Sequence, residues 1–221
     1  MSRIFLPSCT MKRRYPWASS KIREYLERTQ NVVTVGCCKA ACNKIHEDDD
    51  VVLICNDCAA IMEESSKARR IEFVWEIIDR DENFAFPDYH GEPMTIQDCW
   101  RAHEKRSVQE AIRSVLRKMN IAPVELEDSF EKTRYCGADL LKPYTETDLK
   151  YAPRRYVLEG GSMFTPMSEE AKDKVLKDHC SGIATEKVVC YCPSCLDGIN
   201  RGGKKGYHLL DLLFPSAKPD Y

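Results

Sequence analysis

No stretch of this chain approaches the roughly 18 consecutive apolar residues that a membrane-spanning helix needs, so no membrane span is expected. An excess of charge is also missing. Thirty-three Lys and Arg stand against 35 Asp and Glu, a formal net charge of −2. Such a balance sets up no overall positive field, which argues against nucleic acid or an anionic membrane as partner. The opening residues, Met-Ser-Arg-Ile-Phe-Leu-Pro-Ser-Cys, lack the charged stretch and long apolar region of an export signal. A cytoplasmic protein is therefore expected. There is no Gly-x-x-x-x-Gly-Lys-Ser/Thr phosphate loop, and Gly202–Gly206 reads instead as a flexible basic turn. No dinucleotide fingerprint, Ser-His-Asp set or catalytic pair of carboxylates stands out. The 43% of hydrophobic residues is too high for a disordered chain, and 221 residues suffice for one large or two small domains with a buried core.

Cysteine is what the chain does have. Twelve in 221 residues is about 5%, below the roughly 8–10% of a disulfide-stapled mini-protein. In a reducing compartment, such spacings point to metal or redox chemistry. Thiolates are soft ligands suited to zinc, copper(I) and iron–sulfur clusters.

The pattern between the cysteines is that of an α/β protein. Short apolar runs at Ile4–Leu6, Val32–Val35, Val51–Ile54, Met94–Ile96, Val124–Leu126 and Val188–Tyr191 read as buried strands. Between them lie helices. Val108, Ala111, Ile112, Val115, Leu116 and Met119 mark one apolar face from about Glu104 to Met119. A second helix covers Ser19–Glu27, and a third starts after Ser168, an N-cap followed by Glu169 and Glu170. Alternation of the two element types predicts largely parallel sheets. The stretch from Lys142 to Pro166, with three prolines and two glycines, reads as an extended loop or insertion. The run Glu47–Asp50 reads as a solvated turn before a strand.

The cysteines repeat. Cys9, then Cys37-Cys38, then Cys55-Asn-Asp-Cys58 follow the first three strand candidates. Cys99, then Tyr135-Cys136, then Cys192-Pro-Ser-Cys195 follow in the same order. The offsets between the two sets grow from 90 to 98 to 137 residues, so the second repeat carries an insertion at about 142–166. Two pseudo-symmetric, Rossmann-like repeats are expected, over 1–92 and 93–221. Each set sits at the carboxyl ends of strands, where sites form in open α/β sheets. The helix that follows Cys-x-x-Cys offers backbone N–H groups to a thiolate. Adjacent cysteines suit a cluster better than one zinc ion, which needs four ligands, usually from two separated pairs.

In this order of motifs the chain resembles the cysteine-rich CCG domains of the catalytic subunit of heterodisulfide reductase and related iron–sulfur oxidoreductases. The resemblance covers both repeats. It implies that Cys9, Cys37, Cys38, Cys55 and Cys58 hold a [4Fe–4S] cluster, in that family a noncubane one, with Cys37 and Cys38 closest to catalysis. It implies that Cys99, Cys136, Cys192 and Cys195 form a second site. It further implies a disulfide or thiol substrate, anaerobic metabolism, and electrons from a separate ferredoxin-type or flavin protein. The departures are Lys39 in place of the motif glycine, a short gap from Cys38 to Cys55, and Tyr135 in place of a cysteine. Four thiolates suit a cubane [4Fe–4S] cluster or zinc. A cluster carrier, assembly factor or structural zinc module is the alternative, and a metal-free thiol protein a third reading.

The remaining residues are read plainly. Cys42, Cys180 and Cys190 have no motif partner and read as packed thiols. His103, four residues after Cys99, reads as a surface or hydrogen-bonded histidine that can also approach the second site. Lys39 and Arg134 flank the two sites, with solvation their default role. Trp100 reads as a packing residue.

Overall fold

The structure is a computed structural model and describes residues 2–216. It has two four-stranded sheets, all parallel, so the fold is α/β with two Rossmann-like repeats. The first sheet contains β1 (Arg3–Leu6), β2 (Val33–Thr34), β3 (Asp50–Leu53) and β4 (Arg70–Phe73), in the order β2-β1-β3-β4. The second contains β5 (Glu92–Gln97), β6 (Ile121–Val124), β7 (Lys187–Cys190) and β8 (Lys205–His208), in the order β6-β5-β7-β8. The two orders are the same once each strand is matched to its counterpart. Ile4 pairs in register with Val33 on one side and Val51 on the other. Ile96 pairs with Val189 in the equivalent place. Central strands are buried on both faces, so Val51, Val52 and Leu53, like Val188 and Val189, have no exposure.

The helices follow the apolar periodicity. After α1 (Cys9–Arg14), α2 (Pro16–Gln30) starts with proline in its first turn and ends where Asn31 takes a left-handed conformation. It buries Ile22, Tyr25 and Leu26. Next come α3 (Cys38–Ala41), α4 (Asn56–Ser65) and α5 (Val74–Arg80), then α6 (Arg106–Lys118), which packs on α5 and joins the halves. Beyond α7 (Glu146–Tyr151), α8 (Glu169–Ser181) is capped by the Ser168 hydroxyl, which accepts from the Ala171 N–H at 3.3 Å. The last two are α9 (Pro193–Arg201) and α10 (Leu209–Leu213).

Several elements differ from the sequence expectation. β6 spans Ile121–Val124 rather than Val124–Leu126. It is an edge strand, where Pro123 is tolerated. β4 and β8 carry Glu72 and Gly206 inside short runs, which hides them from a search for apolar strands. The supposed basic turn is anchored. Lys204 Nζ donates to the carbonyls of Ile183 and Thr185 at 2.7 and 2.9 Å, and Lys205 opens β8. Asp49 is buried rather than solvated, its carboxylate accepting from the N–H groups of Ser2 and His46.

The stretch 142–166 lies as an insertion between Cys136 and β7, and it is helical, not an extended loop. It holds α7, a π-helix at Arg154–Glu159 and a 3₁₀ turn at Gly161–Met163. It is pinned to the first half of the chain. The Glu64 carboxylate accepts from the N–H groups of Arg154 and Arg155 at 2.7 and 2.9 Å, and Ser65 Oγ donates to the Tyr151 carbonyl. The buried Arg155 guanidinium pairs with Glu104. Burial disfavours the charge on Glu104, but Arg155 overrides it and holds the pKa down at about 2.

One buried ion pair fixes the end of β5. Asp98 and Arg113 are joined by two hydrogen bonds, of 3.0 and 2.7 Å, with almost no solvent access. Asp98 also accepts from the Tyr191 hydroxyl at 2.9 Å and from the Phe130 N–H at 2.7 Å. Tyr191 in turn accepts from the Cys99 N–H at 3.1 Å. Asp98→Ala leaves Arg113 with only the half-exposed Glu125 as a carboxylate partner. It is expected to cost about 3–5 kcal/mol, read as a lower denaturant midpoint. A loss under about 1 kcal/mol would show that this pair contributes no more than a surface one.

Candidate metal centres

Parallel strands place all their carboxyl ends on one edge of a sheet, so the loops that follow them share that edge. After β1, Ser8 takes a positive φ of 64° and caps α1, which Cys9 begins. After β2, Cys37 precedes α3 and Cys38 opens it. After β3, Cys55 is the N-cap of α4, with Cys58 in its first turn. These five cysteines line one cavity of about 220 Å³. A water molecule needs only roughly 10–15 Å³ of such space. Cys38 and Cys58 are buried, Cys37 and Cys55 half-buried, and Cys9 exposed, so the cavity has a wet side. Its sulfurs run as a chain of neighbours, Cys9 to Cys37 to Cys38 to Cys58 to Cys55. Cys38 is the acidic member, brought down to about 7 chiefly by the Cys58 thiol hydrogen-bonded to it. Cys58 is pushed up by the same partnership. Thr147, Asp148 and Tyr156 from the 142–166 segment complete the wall. Between Cys55 and Asp57, the Asn56 side-chain amide is buried and no protein group bonds to it.

The second set is tighter. Cys99 follows β5, Cys136 precedes a 3₁₀ turn at Gly137–Leu141, Cys192 caps α9, and Cys195 lies in its first turn. All four are buried. Their sulfurs lie within 4.8 Å of one another, the one such group among the described residues, and can hold a metal ion. Cys99 Sγ is 3.6 Å from Cys136 Sγ, which is 3.9 Å from Cys192 Sγ. Cys192 is held well below the usual thiol range by hydrogen bonds from Cys136, Cys195 and Cys99. Cys136 is pushed well up by its bond to Cys192, and Cys195 chiefly by burial. Buried beside one thiolate, Cys136 and Cys195 keep their protons unless a cation enters.

Compared with models of protein families, with curated proteins and with solved structures, the chain matches none.

Two local features explain the shape of the second set. Gly137 has a φ of +56°, and a Cβ there would stand 1.9 Å from the Ser194 carbonyl oxygen, inside the Cys-x-x-Cys turn. The glycine after Cys136 is therefore required by close approach. Lys39, its counterpart, lies in α3 with ordinary helical geometry, and the motif glycine is not needed there. Tyr135 is turned away from the sulfurs. Its ring stacks on His179, with centroids 4.0 Å apart, and only its carbonyl approaches Cys195 Sγ, at 3.8 Å.

Between the sets lie residues that the cysteine pattern does not reveal. Arg101, two residues after Cys99, has a buried guanidinium that donates to Cys136 Sγ. It also contacts Asp57 at 2.8 Å, the Tyr156 hydroxyl at 3.2 Å and Asp139 at 3.3 Å. The Tyr156 hydroxyl donates to Asp57, and Ser194 to Asp139. The only sequence signal was position, since Asp57 and Ser194 sit inside the two Cys-x-x-Cys motifs.

Of the remaining residues, all but Lys39 fall outside these groups. Cys42 Sγ points to the Lys39 carbonyl and Cys180 Sγ to that of Ile199, while Cys190 is wholly buried. His103 Nδ1 bonds the Trp100 carbonyl at 2.8 Å. Trp100 packs against Gly160, where a Cβ would lie 2.3 Å from its ring. Arg134 donates to the Glu131 and Thr133 carbonyls, whereas Lys39 lines the first cavity.

Gly137→Ala is expected to weaken metal uptake by the second set at least tenfold, read by chelator competition. An unchanged affinity would contradict the tight approach of the two turns. Metal uptake at pH 7 is expected to release at least two protons, from Cys136 and Cys195. The dependence of the binding heat on buffer ionisation counts them, and a count near zero would contradict protonated thiols.

Proposed function

We propose that this chain is an iron–sulfur redox protein similar in design to the catalytic subunit of heterodisulfide reductase. In this reading the first site holds a [4Fe–4S] cluster at which a disulfide is reduced, and the second holds one zinc ion. The observation that carries it is the contrast between the two sets. Five cysteines line an open-sided cavity, and four buried ones are drawn together within 4.8 Å.

The donor sets fit these groups differently. Four sulfurs at about 2.3 Å from one zinc ion stand about 3.8 Å apart; Cys136 Sγ stands 3.6 and 3.9 Å from those of Cys99 and Cys192, and all four lie within 4.8 Å. A cubane gives each thiolate its own iron and needs wider spacing. The first set is not drawn into one such tight group; it has a cavity beside it, one thiol more than a cubane requires, and in Asn56 a buried amide with no protein partner. Such an amide can serve as a hydrogen-bond partner to cluster sulfur, one of the levers on cluster potential.

The net reaction joins a disulfide, two electrons and two protons to give two thiols. The electrons come from a separate ferredoxin-type or flavin protein. When bound, the cluster supplies one-electron steps and an iron that can bind sulfur. The chain's own part is to hold the site and shape its approach. Cys38, Cys58 and Asn56 form the dry floor, and exposed Cys9 marks the entrance. Thr147, Asp148 and Tyr156 form a wall that limits solvent on the far side.

The exposure of Cys9 also favours a second reading, a carrier that hands its cluster on. The two differ in whether disulfide is consumed.

Anaerobically purified protein is expected to contain about four iron, four sulfide and one zinc per chain. Cys38→Ala is expected to lose iron and keep zinc, while Cys192→Ser loses zinc. With reduced viologen as donor, wild type consumes disulfide and Cys38→Ala does not. Zinc without iron would overturn the redox reading. Iron transfer to an acceptor protein without disulfide turnover would favour the carrier.

A further inference from the structure

We propose that Arg101 is a positioning residue that couples the two cysteine sites, so that filling one tightens metal binding at the other. The proposal rests on the reading of the two sites as metal centres and adds a function for the residues between them.

A buried guanidinium needs its hydrogen bonds met by protein, because water cannot replace a lost partner. The Arg101 side chain is 7% exposed. Its partners come from both sites. Cys136 is one of the four sulfurs of the second set. Asp57 lies between Cys55 and Cys58 of the first, and with Tyr156 it lines the first cavity. Asp139, bonded by Ser194 between Cys192 and Cys195, is the fourth partner. Arg101 itself follows Cys99 by two residues. One side chain therefore touches both Cys-x-x-Cys turns, directly or through one carboxylate.

This geometry gives each site a stake in the other. A metal ion bound to the Cys136 sulfur fixes that sulfur in place and, through their hydrogen bond, the guanidinium of Arg101 with it. Arg101 held there presents Nε to Asp57 and Tyr156, fixing one wall of the first cavity. A filled first site orders that same wall and holds Arg101 against Cys136. The ordering cost of the shared residues is met once, by whichever site fills first, and the sites cooperate. Coupling of this kind is reciprocal. Lysine at position 101 keeps the charge but, with one nitrogen, cannot span Cys136 and Asp57 together.

The test is zinc affinity, read by competition with a chromophoric chelator under anaerobic conditions. Protein loaded at the first site with iron and sulfide is compared with a Cys38→Ala, Cys58→Ala chain, whose first site cannot load. Wild type is expected to bind zinc about tenfold more tightly when loaded, within the usual range of coupling between sites. The comparison is repeated with Asp57→Asn, whose side chain is half-exposed, and independently with Arg101→Lys. Each is expected to reduce the gain to about twofold or less. No gain in wild type, a weaker affinity on loading, or an undiminished gain in both variants would overturn the coupling. A chain that takes up no zinc in any form would instead overturn the metal reading beneath it. Iron content, measured on the same samples, separates the two failures.

Discussion

Parallel strands have their carboxyl ends on one edge of the sheet, and this constraint organises the whole chain. It brings residues 9, 37–38 and 55–58 to one place, although up to 49 positions separate them in sequence. The second sheet repeats the strand order and repeats the result, even with the long segment between Cys136 and β7. Each cysteine motif then runs into a helix or helical turn, whose free N–H groups favour sulfur in its charged form.

The two sites diverge through a few contacts. At the second, Gly137 lets one turn press against the next, the Asp98–Arg113–Tyr191 network holds the backbone of Cys99, and the four sulfurs close up. At the first, an extra thiol and the wall built by Tyr156 keep a cavity open. A closed thiolate set suits an ion that stays and does no redox work. An open-sided one suits a cofactor that must meet a substrate.

Much of this was legible in the sequence. Runs such as Val51–Ile54 and the apolar face of Val108–Met119 carry periods that only one element type satisfies, and the cysteine order exposes the duplication. β4 and β8 were hidden because Glu72 pairs with Arg3, Arg70 and Arg80 at a sheet edge and Gly206 packs under α9, so neither run is apolar throughout. The 142–166 segment misled because its prolines mark short helices whose stability comes from Glu64 and Glu104, far away in the chain. Arg101 was invisible for the same reason. An arginine near a cysteine is common, and only the fold shows that its guanidinium is buried between two sites.

X-ray absorption at the zinc and iron edges of one anaerobically purified sample tests the central claim most directly. The account predicts zinc with four sulfur neighbours at about 2.3 Å and no metal beside it, together with iron ligated by sulfur and flanked by other iron atoms. Zinc with nitrogen or oxygen ligands, or iron without an iron neighbour, would contradict it.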